Sequence, residues 1–428
     1  MRPLLRGLSR TLLATAVALA AAGAQAQDYP IDPPGAEPGK DPVPPAGIAA
    51  PELLAPPPAL VTPLALLDRL VVPGTRLQLE WRPGGGISTA EIPSPVIVAR
   101  GAKAGPVLCL VAGIHGDEIN GVEIVRRLSH GVDPTRLSGT VIGVPIVNVF
   151  GYSRGSRYLP DRRDLNRHFP GSRSGSIASR IANAFFQDIV RHCDVLVDFH
   201  TGSFDRSNLP QVRADLTNPE VLEFTRGFGA TVVLHSPGNR GMLRVAATKV
   251  GIPAVTFEAG APTRLEPAEI AQAVAAIDRL MIKLEMREDP NAGQLVTVDA
   301  PLVVADAPEP APIFLDSRWV RANSGGLLIS EVSLGQRVLA GQRLGKVIDP
   351  VSNVERYILA PVPGRVIGMA QNQAVLPGYA AFHLGTETSE QQAVQEAAAP
   401  GPAPAEAVAE DPEDRPEAVD VEDGEDYE

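Results

Sequence analysis

The stretch that most constrains this chain is residues 107–128, where a short apolar run, a turn bracketed by glycines and an amphipathic pattern follow one another. Residues 107–112 are apolar, include two valines and stop at Gly113, which predicts a strand buried on both faces. Gly113 and Gly116 allow the backbone to turn tightly. From Ile119 the apolar residues Val122, Val125 and Leu128 recur at three-residue steps with Glu123, Arg126 and Arg127 between them, predicting a helix with one buried stripe. His115 and Glu118 stand at the start of that helix. Side chains three apart on a helical turn project to one side, so an imidazole nitrogen and a carboxylate oxygen there can reach a single ion. That is half of a zinc site, because two His and one Glu with a fourth position open form a catalytic set. The pair alone also fits a turn histidine beside an acid favoured by the helix dipole.

The rest of the central chain repeats the same alternation. Residues 76–81, 93–99, 139–147, 195–199 and 253–257 read as strands, and residues 176–190, 242–250 and 266–286 as helices. The pattern predicts an α/β fold, a mostly parallel sheet with helices on both faces. In such sheets ligands collect beyond the carboxyl ends of the strands. His115, Asn148, His200 and Glu258 each lie just beyond the carboxyl end of a predicted strand. His200 is then the natural third ligand and Glu258 the natural general base, against the plainer readings of a core histidine and a solvated carboxylate. Asp198, two residues before His200, is placed to orient a ligand or to cap a neighbour.

A long loop, residues 151–171, carries Arg157, Asp164, Asn166 and Arg167, and loops of this length without periodicity are functional or disordered. Guanidinium groups match carboxylates with paired hydrogen bonds, so such a loop beside a cation points to a small carboxylate-bearing substrate. Arg240 and Arg244, upstream of Glu258, offer a second anion contact.

The ends of the chain are of another kind. Arg2, Arg6 and Arg10, an apolar run over residues 11–23 and Ala24-Gln25-Ala26 read as a secretory signal peptide, residues 1–26, cleaved after Ala26. The protein is therefore expected to be exported, to a bacterial periplasm. Residues 27–63 are crowded with proline and read as a tether. Residues 64–297 read as the α/β domain, residues 298–387 as a small all-β domain of short apolar pieces divided by turns, and residues 388–428 as a disordered acidic tail. The formal net charge is −12, but twelve acidic residues against Arg415 alone fall in residues 401–428, so the body is only mildly acidic and nothing suggests nucleic-acid binding. No later apolar run reaches about 18 residues, so no membrane span is expected, and no feature nominates a protein partner. Cys109 and Cys193 are the two cysteines. Export permits a bridge, but their positions in or beside buried strands favour two free thiols.

Taken together, Gly113-Ile114-His115-Gly116-Asp117-Glu118, Arg157 with Asp164-Leu165-Asn166-Arg167, Asp198-Phe199-His200 and Phe257-Glu258-Ala259-Gly260 closely resemble the succinylglutamate desuccinylase and aspartoacylase family, part of the zinc carboxypeptidase superfamily. The resemblance runs over about residues 76–384. It implies His115, Glu118 and His200 as ligands of one zinc per chain and Glu258 as base. It further implies Arg157 polarising the scissile carbonyl, Asn166 and Arg167 gripping a substrate carboxylate, and Asp164 supporting His115 from behind. The implied activity is hydrolysis of the amide of an N-acyl amino acid, in which zinc lowers the pKa of water toward about 7 and polarises the carbonyl. The small β domain is similar to lipoyl and biotinyl carrier domains, a barrel-sandwich, but residues 349–356 hold no lysine for attachment. Tyr357 and Tyr379 are candidates for the tyrosine that some members contribute from this domain. Cytoplasmic members act on free N-acylated amino acids, whereas this chain reads as carrying an export leader, a proline-rich tether and an acidic tail, so two further readings stay open: an exported zinc carboxypeptidase or amidase acting on cell-wall peptides, and a carboxylate-binding protein without turnover.

Overall fold

In the computed structural model, residues 61–83, 92–289, 312–371 and 373–399 are described, so the signal peptide, nearly all of the tether and the tail beyond residue 399 lie outside the described residues. In chain order the first part contains β1 (Leu64–Leu66), β2 (Arg69–Val71), β3 (Thr75–Trp81), β4 (Ser94–Arg100), β5 (Lys103–Ala112), α1 (Ile119–Gly131), β6 (Ser138–Val144), α2 (Val149–Tyr152) and α3 (Ile177–Asp188). It continues through β7 (Val195–His200), β8 (Arg206–Ala214), α4 (Pro219–Arg226), β9 (Val232–His235), α5 (Leu243–Thr248), β10 (Ala254–Gly260) and α6 (Pro267–Lys283). The later part contains β11 (Ile313–Arg321), β12 (Gly326–Ser330), β13 (Arg337–Val338), β14 (Arg343–Ile348), β15 (Glu355–Leu359), β16 (Gly364–Ala370), β17 (Gln373–Val375), β18 (Ala380–Glu387) and α7 (Glu390–Ala398).

Twelve strands form one sheet in the order β13-β16-β18-β11-β9-β8-β10-β7-β5-β6-β4-β3. The expected mostly parallel sheet is corrected to a mixed one. Parallel pairing is confined to β10-β7-β5-β6 and to β8-β9-β11, and the other neighbours run antiparallel. The reason is in the connections: parallel neighbours need a long crossover, whereas β7 and β8 are joined by residues 201–205 alone. β8 therefore returns beside β10 in the opposite sense.

Helices cover both faces of the parallel centre. On one face Ile124, Val125 and Leu128 of α1, Phe224 of α4 and Ile270, Ile277 and Leu280 of α6 pack on Leu108, Leu110, Val197, Phe199, Val255 and Phe257. On the other, Ile181 and Phe185 of α3 and Leu243 and Ala247 of α5 pack on Cys109, Val111, Leu196 and Ala254. The alternation of side chains along each strand feeds these two cores in turn.

Cys109 points into the second core, and the turn after α3 brings Cys193 into the same layer. The two form a disulfide, with Cα atoms 5.7 Å apart, which corrects the expectation of free thiols. Burial was read rightly; what the strand positions did not reveal is that both sulfurs face one core.

The β-rich part does not stand apart from the sheet. β11, β18, β16 and β13 extend the twelve-stranded sheet, with β11 on β9 and β16 also on β8, while β15-β14-β12-β17 form a second, four-stranded sheet. The two layers enclose Leu328, Leu344, Val347, Val366, Phe382 and Leu384, so the arrangement is a sandwich that shares one wall with the main body. The expectation of disorder from residue 388 is also corrected: Ser389 caps α7 through a capping box, and Ala393 of α7 is buried against the main core beside Val394 and Ala397.

The bridge spans 84 residues of sequence. Cys109→Ser is expected to lower unfolding stability by about 2–4 kcal/mol, read from denaturant curves, and thiol titration of the unfolded, unreduced protein should find no free sulfhydryl from these two residues.

Candidate metal centre and active site

The site grows from strand register. On adjacent parallel strands Glu258 of β10 is the Cα partner of His200 of β7, and Thr256 is the partner of Asp198. On the other side β8 places Gln211 opposite Glu258 and Arg213 opposite Thr256. Partners in register share a face, so the face that is apolar at Leu196 and Ala254 turns polar toward the strand ends. β5 ends at Ala112, paired with Phe199 of β7, and Gly113 takes a φ of +64°, a conformation suited to glycine. A side chain at Gly116 would run into the Gly151–Tyr152 peptide, so this turn needs its second glycine too. The turn carries His115 back over the ends of β7 and β10, and Glu118 becomes the cap residue of α1 without capping it through its side chain.

His115 Nδ1 lies 2.8 Å from Glu118 Oε1, His200 Nδ1 lies 2.8 Å from Glu118 Oε2, and the two Nδ1 atoms are 3.1 Å apart. All three side chains are buried, and their donor atoms lie within 4.8 Å of one another. The opposite nitrogens are engaged by carboxylates: His115 Nε2 is 3.0 Å from Asp164 Oδ1, and His200 Nε2 is 2.9 Å from Asp198 Oδ2. An imidazole whose Nε2–H donates to a carboxylate can offer Nδ1 to a metal once Nδ1 gives up its proton, so both rings are oriented for metal binding. The donor set therefore fits a divalent ion such as zinc.

Electrostatics agree with a built cluster. Burial pushes His200 down, but the Asp198 and Glu118 carboxylates outweigh it and hold its pKa well above the ordinary value. For His115 burial and the Arg157 charge act downward, and Asp164 and Glu118 again prevail. Glu118 is pushed up by burial yet held far below the usual carboxylate range by the two histidines, and Asp164 is likewise depressed by His115 and Arg157.

The long loop folds over this cluster. Arg157 donates from Nη1 to Glu118 Oε1 and from Nη2 to Asp164 Oδ2, both at 3.0 Å, and its guanidinium lies 5.3 Å from the centre of the Phe204 ring. Asp164 also accepts the backbone N–H of Asn166, which starts a short 3₁₀ turn over Leu165–Arg167. Asn166 accepts the N–H of Leu243 on Oδ1, leaving Nδ2 3.5 Å from His200 Nε2. Arg244 is held by two bonds of 2.8 Å to the carbonyl and hydroxyl oxygens of Ser236. Glu258 accepts from Asn208 Nδ2 at 3.4 Å and faces Arg213 Nε at 3.8 Å.

One pocket brings these together. It is lined by His115, Glu118, Arg157, Asn166, Arg167, His200, Arg244 and Glu258, all singled out from sequence, and by Arg213, Met242 and Thr256, which were not. Asp164 sits behind His115. Asn148 does not join the lining: its side chain caps α2 by accepting from Gly151 N. Tyr379 donates to the Phe204 carbonyl at 2.7 Å and Tyr357 is exposed under Arg343, so neither tyrosine lines the pocket. Thr256 was readable as the same-face residue two before Glu258. Arg213 was not, because Pro210 and Asn208 disguise β8 as a loop. Pro210 falls between the β16 pairing of Arg206–Asn208 and the β9 pairing of Gln211–Ala214, a gap where no ladder N–H is needed.

Residues 104–284 match the model of the succinylglutamate desuccinylase/aspartoacylase catalytic domain. Over that stretch the chain is similar to the succinylglutamate desuccinylase/aspartoacylase family. An N-alpha-acetyl-L-2,4-diaminobutyric acid deacetylase of Halomonas elongata is 29% identical over 279 residues, 63% of this chain and 77% of the relative. Among solved structures, a succinylglutamate desuccinylase/aspartoacylase from Rhodobacter sphaeroides superposes with a TM-score of 0.62 at 22% identity, over 73% of this chain and 96% of the other. The product-bound ectoine utilization protein of Ruegeria pomeroyi gives a TM-score of 0.62 at 23% identity, over 76% and 98%. These structural likenesses establish the family's mixed α/β fold with its C-terminal β region.

Two outcomes test the centre. Asp198→Asn is expected to weaken zinc binding by about 10–100-fold, measured by competition with a chromogenic chelator. Because carboxylate partners raise the pKa of both histidines, protons compete with zinc for them, so zinc binding should release protons and weaken as pH falls, which calorimetry in buffers of different ionisation enthalpy reads directly.

Proposed function

We propose that the protein is an exported zinc-dependent deacylase that hydrolyses the amide bond of an N-acyl amino acid or a similar small carboxylate. The observation that carries this reading is the convergence of His115 Nδ1, His200 Nδ1 and the Glu118 carboxylate beside Glu258, in a pocket whose remaining charges are arginines. The deacetylase from Halomonas elongata, related over most of its length, supports amide hydrolysis.

Zinc bound by His115, Glu118 and His200 would acidify the attacking water and polarise the amide carbonyl. Glu258, on the strand next to His200, takes the proton from that water and delivers it to the leaving nitrogen. Asn208 steadies one of its oxygens. Arg157 stands beside Glu118, where its guanidinium reaches a carbonyl oxygen as negative charge develops on it. Asn166 and Arg167 hold the substrate carboxylate, with Asn166 positioned by the Leu243 N–H, and Arg244 in the pocket lining offers a second anion contact. Asp164 and Asp198 orient the two imidazoles and transfer no proton. A pure binder has no use for a carboxylate in Glu258's position, so turnover is the better reading of the set.

Glu258→Gln is expected to retain one zinc per chain while losing a factor of about 10²–10⁴ in turnover, measured by product release from a panel of N-acyl amino acids and short cell-wall peptides. A variant as fast as the parent would remove Glu258 from the mechanism, and cleavage of the peptides alone would replace the deacylase by a carboxypeptidase. Export is checked by the amino terminus of the secreted protein, expected at Gln27.

A further inference from the structure

Gln211 of β8 is fully buried, and among the described residues neither its Nε2 nor its Oε1 has a hydrogen-bond partner. An amide in that state bears the cost of desolvation at both ends, and native interiors seldom retain one. Its place in the sheet sharpens the point. On one flank Gln211 is the Cα partner of Val232 on β9, which belongs to a small apolar cluster with Leu234, Leu315 and Ile367. An apolar side chain would extend that cluster without penalty. On the other flank Gln211 is the Cα partner of Glu258 on β10. Directly opposed residues of an antiparallel pair share a face, with Cβ atoms about 5 Å apart, so the amide head is within reach of the carboxylate that serves as base. The contacts that β8 makes with that carboxylate are loose: Asn208 Nδ2 lies at 3.4 Å and Arg213 Nε at 3.8 Å. During hydrolysis Glu258 must be aimed first at the attacking water and then at the leaving nitrogen, and hydrogen bonds of this kind tighten when the complex forms. A close ion pair with Arg213 would hold Glu258 but would also depress its basicity; a neutral amide holds it with less effect.

We propose that Gln211 is a positioning residue for the base: its Nε2–H donates to Glu258 as the substrate binds, and its Oε1 accepts from the Arg213 guanidinium two residues along the same face. One movement then satisfies both ends of the amide. The inference rests on the deacylase reading and adds to it a residue that acts through Glu258 and touches no reacting atom.

The test uses the full-length, zinc-loaded protein. Gln211→Met, which replaces the amide by an apolar side chain of similar length, should lower kcat on the amides that wild type hydrolyses by about tenfold, the worth of one hydrogen bond to a charged group. KM should change by less than about twofold, the mark of an interaction made in the transition state. The urea midpoint of this variant should equal or exceed that of wild type, because removing an unpaired buried amide costs the fold nothing. Gln211→Asn keeps the amide on a shorter arm and should recover part of the loss. In a Glu258→Gln background the same Gln211→Met change should lower turnover by less than about twofold, since no carboxylate is left to hold. A crystal structure of the zinc-loaded protein with acetate in the pocket should place Gln211 Nε2 within about 3.2 Å of a Glu258 oxygen. An unchanged kcat in Gln211→Met, an equal loss with and without the Glu258 carboxylate, or an Nε2 more than about 4 Å from both Glu258 oxygens overturns the proposal even if N-acyl amino acids are hydrolysed. The bond from Gln211 to Glu258 without hydrolysis of any N-acyl amino acid supports the positioning and sinks the deacylase reading instead.

Discussion

The structure depends on the in-register parallel pairing of β5, β7 and β10. Parallel strands end on the same side of a sheet, so residues far apart in sequence arrive at one rim without any contact made for that purpose. Here the pairing of Glu258 with His200 and of Ala112 with Phe199 brings Glu258, His200 and the turn that carries His115 to one rim. A slip of one residue would send His200 and Glu258 into the core occupied by Phe199 and Phe257. The large apolar side chains on that opposite face resist such a slip, so the packing of one layer maintains the chemistry of the other.

The site itself is a problem in buried charge. Isolated ions in so enclosed a place would be neutralised, but His115, His200, Glu118, Asp164, Asp198 and Arg157 each have an opposite partner at hydrogen-bond distance. Asp164 meets both His115 and Arg157, Asp198 meets His200, and Glu118 meets both histidines and Arg157. The network rigidifies the ligands from behind and leaves their inner faces to converge. The two aspartates matter for this reason: they direct the ring nitrogens although they do not line the pocket.

The C-terminal β region reaches the site through the backbone. Tyr379 and Gln373 bond the carbonyls of Phe204 and Asp205, in the link between β7 and β8, and β16 pairs with the start of β8. The strand that carries Arg213 is thus braced by a part of the chain more than a hundred residues away. The same link, too short for a crossover, is what makes the sheet mixed.

Much of the site was readable because chemistry follows local pattern. An apolar run closed by Gly113, and the Asp198-Phe199-His200 and Phe257-Glu258 strand ends, announce both a strand and a polar residue at its tip, and their order along the chain names the family. The amphipathic stripes of α1 and α6 were plain for the same reason: burial on one side imposes a period that composition shows. What escaped was set by partners. Asn148 shared the strand-end position yet serves as a cap, Cys109 and Cys193 each looked like a lone buried thiol, and β8 was hidden by a proline whose tolerance depends on which strands flank it. The sequence by itself determined which residues can bind a metal and that strands deliver them to a rim, because these depend on side-chain type and short-range spacing. Only the tertiary structure decided that Arg213 faces Glu258, that the two sulfurs meet, and that the β region shares a wall with the sheet, because strand order and register are properties of pairs distant along the chain.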